Sequence, residues 1–465
     1  MGTLFAGLRS SAGALDALNQ AIDVTQNNVD NASTPGYASQ TPVNQALPFN
    51  AEGGLIGGVK AGPVQSSRDQ FAEKAVWQQQ ENLGLSNGML DGLNALQQLF
   101  DVTGQSGLPA ALNQLFSSFS NWSTTPGDAT ARGQVLSSAQ AVAQSFNATA
   151  KGVQQAAAGA DQQIQSTVAQ INQLATAIAK INAQRQAGGP DAGLDAQLNS
   201  DLEQLSQLAN INVLYKDDGT VTVLAGSETP LVLGDQASQL TAAVTGNGVQ
   251  ILDSNHTDIS ANVSGGSLAG LLQFTNQIVP GLIGNSQTPG TLNTLAQTLA
   301  DTVNQILTSG ATDTSATATA GVPLFTYTAG SPNTVAQSFA VSSTITPAAL
   351  AAASLGPPPV ANGAASALAN LGTAANASLG NMSITDYYSQ IASGVGSEQA
   401  SASSNQQLGQ QLVAQAQNAR ANISGVSLNA EAAALMQYQQ SFQAIAKIIT
   451  VIGDMTDSII NTIQY

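Results

Sequence analysis

Cysteine is absent from this chain and histidine occurs once, as His256. Disulfides, thiolate nucleophiles, iron–sulfur clusters and Cys-ligated zinc are therefore excluded. So is any metal or catalytic site that needs two imidazoles. The absence of thiols leaves the compartment open, because an exported protein can do without them. Charge is also scarce. Only 8% of the 465 residues are charged, and 11 basic against 28 acidic side chains give a net charge of −17. With no basic cluster the chain has no electrostatic footprint for nucleic acid or for an anionic membrane surface. Aromatic residues are only 4%. No apolar run reaches the roughly 18 residues a membrane-spanning helix needs, so no membrane insertion is expected. The first twenty residues lack a basic stretch ahead of an apolar core, and Asp16 interrupts them. They do not read as a cleaved secretory signal, so export would take another route.

What the chain has is helical periodicity at both ends and through much of the middle. Its length suggests about three domains. Near the start, Leu8, Ala12, Leu15, Asn19, Ile22, Gln26 and Val29 recur in steps of four and three, a heptad seam diluted by two amides. The helix should stop near Asn31. Thr34 precedes Pro35 and is pushed out of the helical region, and Pro35-Gly36 reads as the centre of a type II turn. Residues 66–155 read as mostly helical. Ile164, Val168, Ile171, Leu174, Ile178 and Ile181 mark a long helix. Leu194, Leu198, Leu202, Leu205 and Leu208 mark its antiparallel partner. The period then changes to two, with Ile211, Val213 and Tyr215 before "KDDGT" and Val221 and Val223 after it, a β-hairpin with an Asp-Gly turn. Residues 314–385 carry no charged side chain and read as irregular or weakly β. At the other end Leu428, Leu435, Phe442 and Ile449 are a heptad apart. Tyr438, Ile445, Ile452 and Ile459 fill the intermediate positions.

The expected fold class is mainly α with inserted small β domain(s). It is an elongated helical bundle built from both chain ends, with terminal coiled-coil-like helices and a projecting β domain. Residues 1–35 and 425–465 would be the terminal coiled-coil helices. Residues 36–210, 265–310 and 380–424 would form a rod-like helical bundle. Residues 211–264 would be the small β domain, and 311–379 the uncharged irregular or weakly β segment.

No constellation for catalysis, cofactor binding or metal binding emerges. His256 in "SNHTD" reads as a solvated loop histidine. Ser267 in "GGSLAG" resembles half of a nucleophile elbow, but a helix N-cap is the better reading. Asp217 and Asp218 read as turn residues. An apolar stripe at helical spacing usually faces its own core. Here the stripes lie at the extreme ends and are bordered by Gln, Asn, Ser and Ala, without the Glu-Lys pairs that steady a lone helix. They read as surfaces that need a partner.

Both ends together resemble a known family. "NNVDNASTPGYASQ", with Asn31, Thr34, Pro35, Gly36 and Tyr37, resembles the N-terminal signature of bacterial flagellar axial proteins. "ISGVSLNAEAAALMQYQQSFQAIAKIITVIGDMTDSII" is similar to their C-terminal signature. "RDQF" from Arg68, "LNQLFSSFSNWSTTPGDATARGQVL" and "GGSLAGLL" point within it to the junction proteins between hook and filament, the hook-associated protein 1 family. The matches cover roughly residues 1–280 and 380–465. Asn429 and Ala430 depart from the family's usual acidic pair, with Glu431 retained. The resemblance implies a structural, non-enzymatic, secreted protein of the bacterial flagellum, exported unfolded through the flagellar channel. It implies as partners further copies of the chain, the hook protein, the second junction protein (hook-associated protein 3) and a cytoplasmic export chaperone at the C-terminal region. The assembly seams would be Leu8, Leu15, Ile22 and Val29 with Leu428, Leu435, Tyr438, Phe442, Ile445, Ile449, Ile452 and Ile459. Two other readings stand beside it: an adhesin or hydrolase carried on a flagellar scaffold with its activity in the centre, or another axial protein of hook or rod type.

Overall fold

The computed structural model describes residues 2–50, 55–101, 103–189, 191–226, 228–246, 248–315 and 317–463. Helix α1 spans Gly2–Asp30. Tyr37 then donates its amide to the Thr34 carbonyl at 3.1 Å while Gly36 holds a φ of 72°. This is the type II turn that Pro35-Gly36 predicts. The next stretch departs from the sequence reading, which placed residues 36–210 wholly in the helical bundle. Six short strands form one long ladder: β1 (Gln40–Pro42), β2 (Gln45–Ala46), β3 (Phe49–Asn50), β4 (Leu55–Ile56), β5 (Val59–Lys60) and β6 (Val64–Ser66). They pair antiparallel as β1 with β6, β2 with β5 and β3 with β4. Strands of two or three residues carry no readable alternation, so periodicity cannot find them. The ladder lies along α1. Gln20 Nε2 donates to the Gly62 carbonyl at 3.1 Å, and a Cβ on Gly13 would stand 2.9 Å from the Val59 carbonyl.

The body begins with α2 (Gln70–Gln97), α3 (Gly107–Thr124), α4 (Ala129–Gly188) and α5 (Ala192–Leu208). Asp69, Asp128 and Asp191 each accept an amide hydrogen bond at the start of α2, α4 and α5. Each thereby satisfies a donor the helix leaves orphaned. Helix α4 has 60 residues and is about 90 Å long at 1.5 Å per residue. It is the spine on which the rest is laid.

Strands β7 (Ile211–Tyr215), β8 (Val221–Ala225), β9 (Thr229–Leu233) and β10 (Gln236–Ala237) form a four-stranded antiparallel meander. The turn between β7 and β8 closes through Gly219 at φ 79° and Lys216 N to the Thr220 carbonyl at 2.9 Å. Strands β11 (Thr241–Thr245) and β12 (Gly248–Leu252) add a hairpin. Val221, Val223, Leu231 and Val232 are buried in the same continuous core as Ile171, Ile178 and Ile181 of α4. Two asparagines of α4 clamp the β backbone. Asn182 donates to the Val221 and Gly234 carbonyls and accepts from Val221 N. Asn172 does the same for both backbone groups of Leu240.

Helix α6 (Gly266–Gln273) runs through a π turn at Phe274–Ile278 into α7 (Val279–Ile283), and α8 (Gly290–Thr308) follows. Ser267 is not the N-cap that the sequence suggests. Gly265 takes that place, because the chain there must run against α2. A Cβ on Gly88 of α2 would stand 2.2 Å from the Ser267 carbonyl, so only glycine lets the two backbones approach so closely.

The uncharged segment folds into two-residue strands β13 (Gly310–Ala311), β14 (Phe325–Thr326), β15 (Ala340–Val341) and β16 (Ala353–Ser354), with short helices α9 (Val335–Ser338) and α10 (Gly363–Asn370). It docks on the spine through Phe325 and Phe339, whose rings lie 4.8 Å apart, and Phe146 of α4, 5.0 Å from Phe339. Helix α11 (Ile384–Ser424) returns antiparallel along α2, and α12 (Leu428–Ile463) closes the chain against α1.

Glu81 of α2 roots the β domain, accepting the Ile211 amide at 2.9 Å. Burial pushes its carboxyl from 4.5 up to about 7, against the lowering effects of that amide and of Lys74. The folded state therefore holds the proton more tightly than the unfolded chain, and stability falls as pH rises through 4.5 to 7. Glu81→Gln keeps an acceptor for Ile211 and removes the charge. It is expected to raise the urea midpoint near pH 8 by the equivalent of about 1–3 kcal/mol, discounting for partial exposure. Near pH 4 it should change little. An equal shift at both pH values would contradict the assignment.

Candidate functional site

The two terminal helices join the body where the chain crosses twice, at residues 31–40 and 424–427. Three serines tie the crossings together. Ser39 N donates to the Ser424 carbonyl at 2.8 Å, and Ser67 N donates to the Ser39 carbonyl at 2.8 Å. Ser424 Oγ donates to the Ser67 carbonyl at 3.1 Å. Asn28, 2% exposed, is the hub above them. Its Nδ2 donates to the Gln40 carbonyl and to Glu431 Oε1 of α12, both at 2.9 Å. Its Oδ1 accepts from Gln40 N at 2.8 Å and from the Tyr37 hydroxyl at 2.9 Å. Burial first, and then the Glu431 carboxylate, push the Tyr37 phenol up, so it stays a donor. One side chain thus binds α1, the turn and α12 together.

The motif residues build this joint. Asn31 donates to the Asn27 carbonyl at 3.0 Å, and Thr34 Oγ1 donates to Asn31 Oδ1 at 3.0 Å. Gly36 is needed twice over, for its positive φ and because a Cβ there would meet the Ala196 carbonyl of α5 at 2.2 Å.

Beneath the turn lies an ionic network. Arg68 pairs with Glu73 and, at 2.8 Å, with Asp195. Arg185 meets Asp195 at 3.1 Å. Arg420 joins Glu73 at 2.9 Å and Glu203 at 2.7 Å. Arg68 also donates to the Gly36 carbonyl. The network links the turn to α2, α4, α5 and α11 and borders a polar cleft of about 570 Å³ between Pro35, Ser200 and Asn418. Sequence reasoning missed Asn28 and these ion-pair roles. The available signal was rarity, since Arg420 is the one charge between Glu398 and Glu431.

The stripes behave differently on the two helices. On α12, Leu435, Tyr438, Ile445, Ile449, Ile452 and Ile459 are half-buried. Ile452 lies at Gly7 and Glu431 at Asn28, so this is the face turned to α1. Leu428 and Phe442 remain 56% and 38% exposed. On α1 the best-buried residues are Ala17, Ala21, Thr25 and Asn28. They lie about a third of a turn from the line of Leu8, Leu15, Ile22 and Val29. Leu8 and Val29 are 38% and 42% exposed, and Leu15 and Ile22 are half-buried. Small residues win the inner face because they permit close approach to α12 and the β1–β6 ladder. The larger apolar side chains are left toward the outside. Ile448, Val451 and Met455 of α12 are likewise about half exposed.

Among the described residues no group of His, Cys, Asp and Glu could hold a metal ion, and no helix is long and apolar enough to cross a membrane. His256 is exposed in a loop with φ 62°. Asp218 accepts from Thr220 within its turn.

A family model described as the flagellar hook-associated protein FlgK helical domain matches residues 93–325. Models of the flagellar basal body rod FlgEFG protein C-terminal region and of the flagella basal body rod protein match residues 417–462 and 8–37. Flagellar hook-associated protein 1 of Bacillus subtilis is 25% identical, over 99% of this chain and 99% of its own length. Its counterpart in Salmonella typhimurium is 27% identical over 64% of this chain, a match spanning 55% of that relative. In fold, the flagellar hook junction protein FlgK from Burkholderia pseudomallei aligns with a TM-score of 0.62 and 16% identity. That alignment covers 75% of this chain and all of the other.

Asn28→Ala removes the hub while leaving the ionic network intact. An unmade buried hydrogen bond costs about 1–3 kcal/mol, and the loss should fall on the terminal pair alone. Amide exchange is expected to quicken across α1 and α12, with the body's thermal transition unmoved. Exchange that stays unchanged in both helices would refute the hub.

Proposed function

The chain belongs to the flagellar hook-associated protein FlgK family, structural components of the junction between hook and filament, and we propose that it enters that assembly through its terminal helices. The observation that carries this reading is the α1–α12 pair. It is tied at its base by Asn28 and Glu431, and it leaves Leu8, Val29, Leu428 and Phe442 exposed. A helix pair with so few charges buries too little within one chain to be rigid by itself. Neighbouring copies would supply the missing contacts. The chain works mechanically, as an adaptor between two different tubes, and it is not an enzyme. The body carries load along α4, and the joint holds the terminal pair at a fixed angle to it.

The remaining roles follow from the family. The proposed partners are further copies of the chain, the hook protein and the second junction protein, with an export chaperone at the C-terminal region before secretion. A bound substrate or an adhesive role for residues 211–385 has no comparable support. Within that stretch Asn276, Asn293 and Asn304 bind backbone groups.

Leu435→Asp with Ile449→Asp tests the seam. Each carboxylate would have to be buried unpaired against α1, costing several kcal/mol, and α12 shares no core with the body. Cells carrying the double variant are expected to show hooks without filaments, while the purified protein keeps its main thermal transition. Normal filaments would mean the stripe is no assembly surface, and loss of the whole transition would make it ordinary core.

A further inference from the structure

We infer that the β7–β8 hairpin controls the joint from behind: it packs over Arg185 and, through Asp195 and Arg68, decides how firmly the turn at Gly36 and the terminal helices beyond it are held. The hairpin reaches the ionic network in two places. Its turn, closed by Gly219 N donating to the Lys216 carbonyl at 3.0 Å, lies against the Arg185 side chain. A Cβ on Gly219 would stand 3.9 Å from Arg185 Nε. Tyr215, the last residue of β7, brings its hydroxyl in beside four charged groups, Glu73, Arg68, Asp195 and Arg185. That hydroxyl is buried and has no hydrogen-bond partner. Burial first, and then the Glu73 carboxylate, push the phenol up, so it stays neutral. Tyr215 thus gives the network neither a charge nor a hydrogen bond. What it supplies is a ring that keeps water away.

Helix α4 fixes both contacts. Its buried Asn182 holds both backbone groups of Val221, the residue opposite Tyr215 across the hairpin. Arg185 follows about one turn along α4 and meets Asp195 Oδ1 at 3.1 Å. The same stretch of helix therefore seats the hairpin and aims a guanidinium at the joint. From there the route to the turn is short. Arg68 takes the other oxygen of Asp195 at 2.8 Å and donates to the Gly36 carbonyl.

Charge balance makes Arg185 matter. The network holds three bases, Arg68, Arg185 and Arg420, against three acids, Glu73, Asp195 and Glu203. It is neutral only while Arg185 belongs to it. Without Arg185, Asp195 and Glu73 share Arg68, and a largely buried carboxylate short of a partner is costly. How much Arg185 contributes depends on its cover. Attraction between two charges rises as water is excluded and nearly vanishes for an exposed pair. The hairpin supplies that cover. The joint has an ordered state and a locally frayed one, and the position of the hairpin biases the balance between them. Named contacts carry this coupling from one region to the other. Whatever displaces the hairpin loosens the terminal helices, and a firmly seated hairpin orders them.

Amide exchange in the purified full chain reads both regions at once and needs no assembly. Tyr215→Ala uncovers Arg185. It is expected to quicken exchange at residues 34–40 about fivefold, besides loosening residues 211–225. Tyr215→Phe keeps the ring and should leave residues 34–40 as they are; a Phe variant as loose there as the Ala variant would overturn the covering role. Arg185→Gln leaves the strand pairing intact, and it should quicken both residues 34–40 and the turn at 216–220. Added to Arg185→Gln, Tyr215→Ala should bring little further change at residues 34–40, because the two act along one route. Loosened strands with residues 34–40 unmoved would make Tyr215 ordinary core of the β domain and overturn the coupling. Fully additive effects in the double variant would overturn the route through Arg185. Should Tyr215→Ala not fold, Arg185→Gln decides alone, since quickening in only one of the two regions refutes the link.

Discussion

The joint depends on a buried carboxylate that cannot stand alone. Glu73 has a side chain only 1% exposed, and two guanidinium groups reach it from different parts of the chain, Arg68 and Arg420. Taking such charges out of water costs more than a hydrophobic substitute would, so the network is weak as a source of stability and strong as a constraint on geometry. Glu73 must find both partners, and the partners must find Asp195 and Glu203. Only one placement of α2, α4, α5, α11 and the turn at Gly36 satisfies all of them. A structural component of a junction needs a defined geometry more than it needs a high melting point. The eleven basic residues include three that meet in this one place.

Away from the joint the same work is done by amides. Asn172 and Asn182 hold the β meander, Asn276 holds both backbone groups of Val249, and Asn304 and Asn147 hold the uncharged segment. All but Asn147, which only donates, present a donor and an acceptor to a strand edge or loop, as a neighbouring strand would. An amide needs no counter-ion and carries a smaller desolvation cost than a charge. This is how a chain with so few ionic groups still attaches small sheets and irregular segments to one long helix without leaving their backbone unsatisfied.

These attachments explain what could be read in advance. The helices of residues 164–208, the Asp-Gly hairpin and the terminal stripes were legible because apolar periodicity and turn chemistry are local signals. The ladder at 40–66 was not, because its strands are too short to alternate. The face of α1 that packs within the chain was illegible for a related reason. A search for large apolar residues selects Leu8, Leu15, Ile22 and Val29, whereas close packing selects Ala17 and Ala21. Nothing in the sequence singles out Asn28, although its hydrogen bonds join α1, the turn and α12. Long-range polar partners leave no mark on a single sequence. The scarcity of charge was the one usable clue, and it pointed to Arg68 and Arg420 only by elimination.

Scarcity of charge also separates the two halves of the molecule. At the joint, Arg68, Glu73, Arg185, Asp195, Glu203 and Arg420 are largely buried and paired within the chain. On the terminal pair they are exposed, unpaired and periodic, beside apolar side chains that the chain covers only in part. A surface of that kind leaves apolar side chains that only further contacts can cover, while its sparse charges keep a single copy in solution. Reversing the arrangement would fail on both counts. Charges buried along α1 and α12 would lock one isolated pair, and an uncharged joint would leave the angle between tube and body undefined.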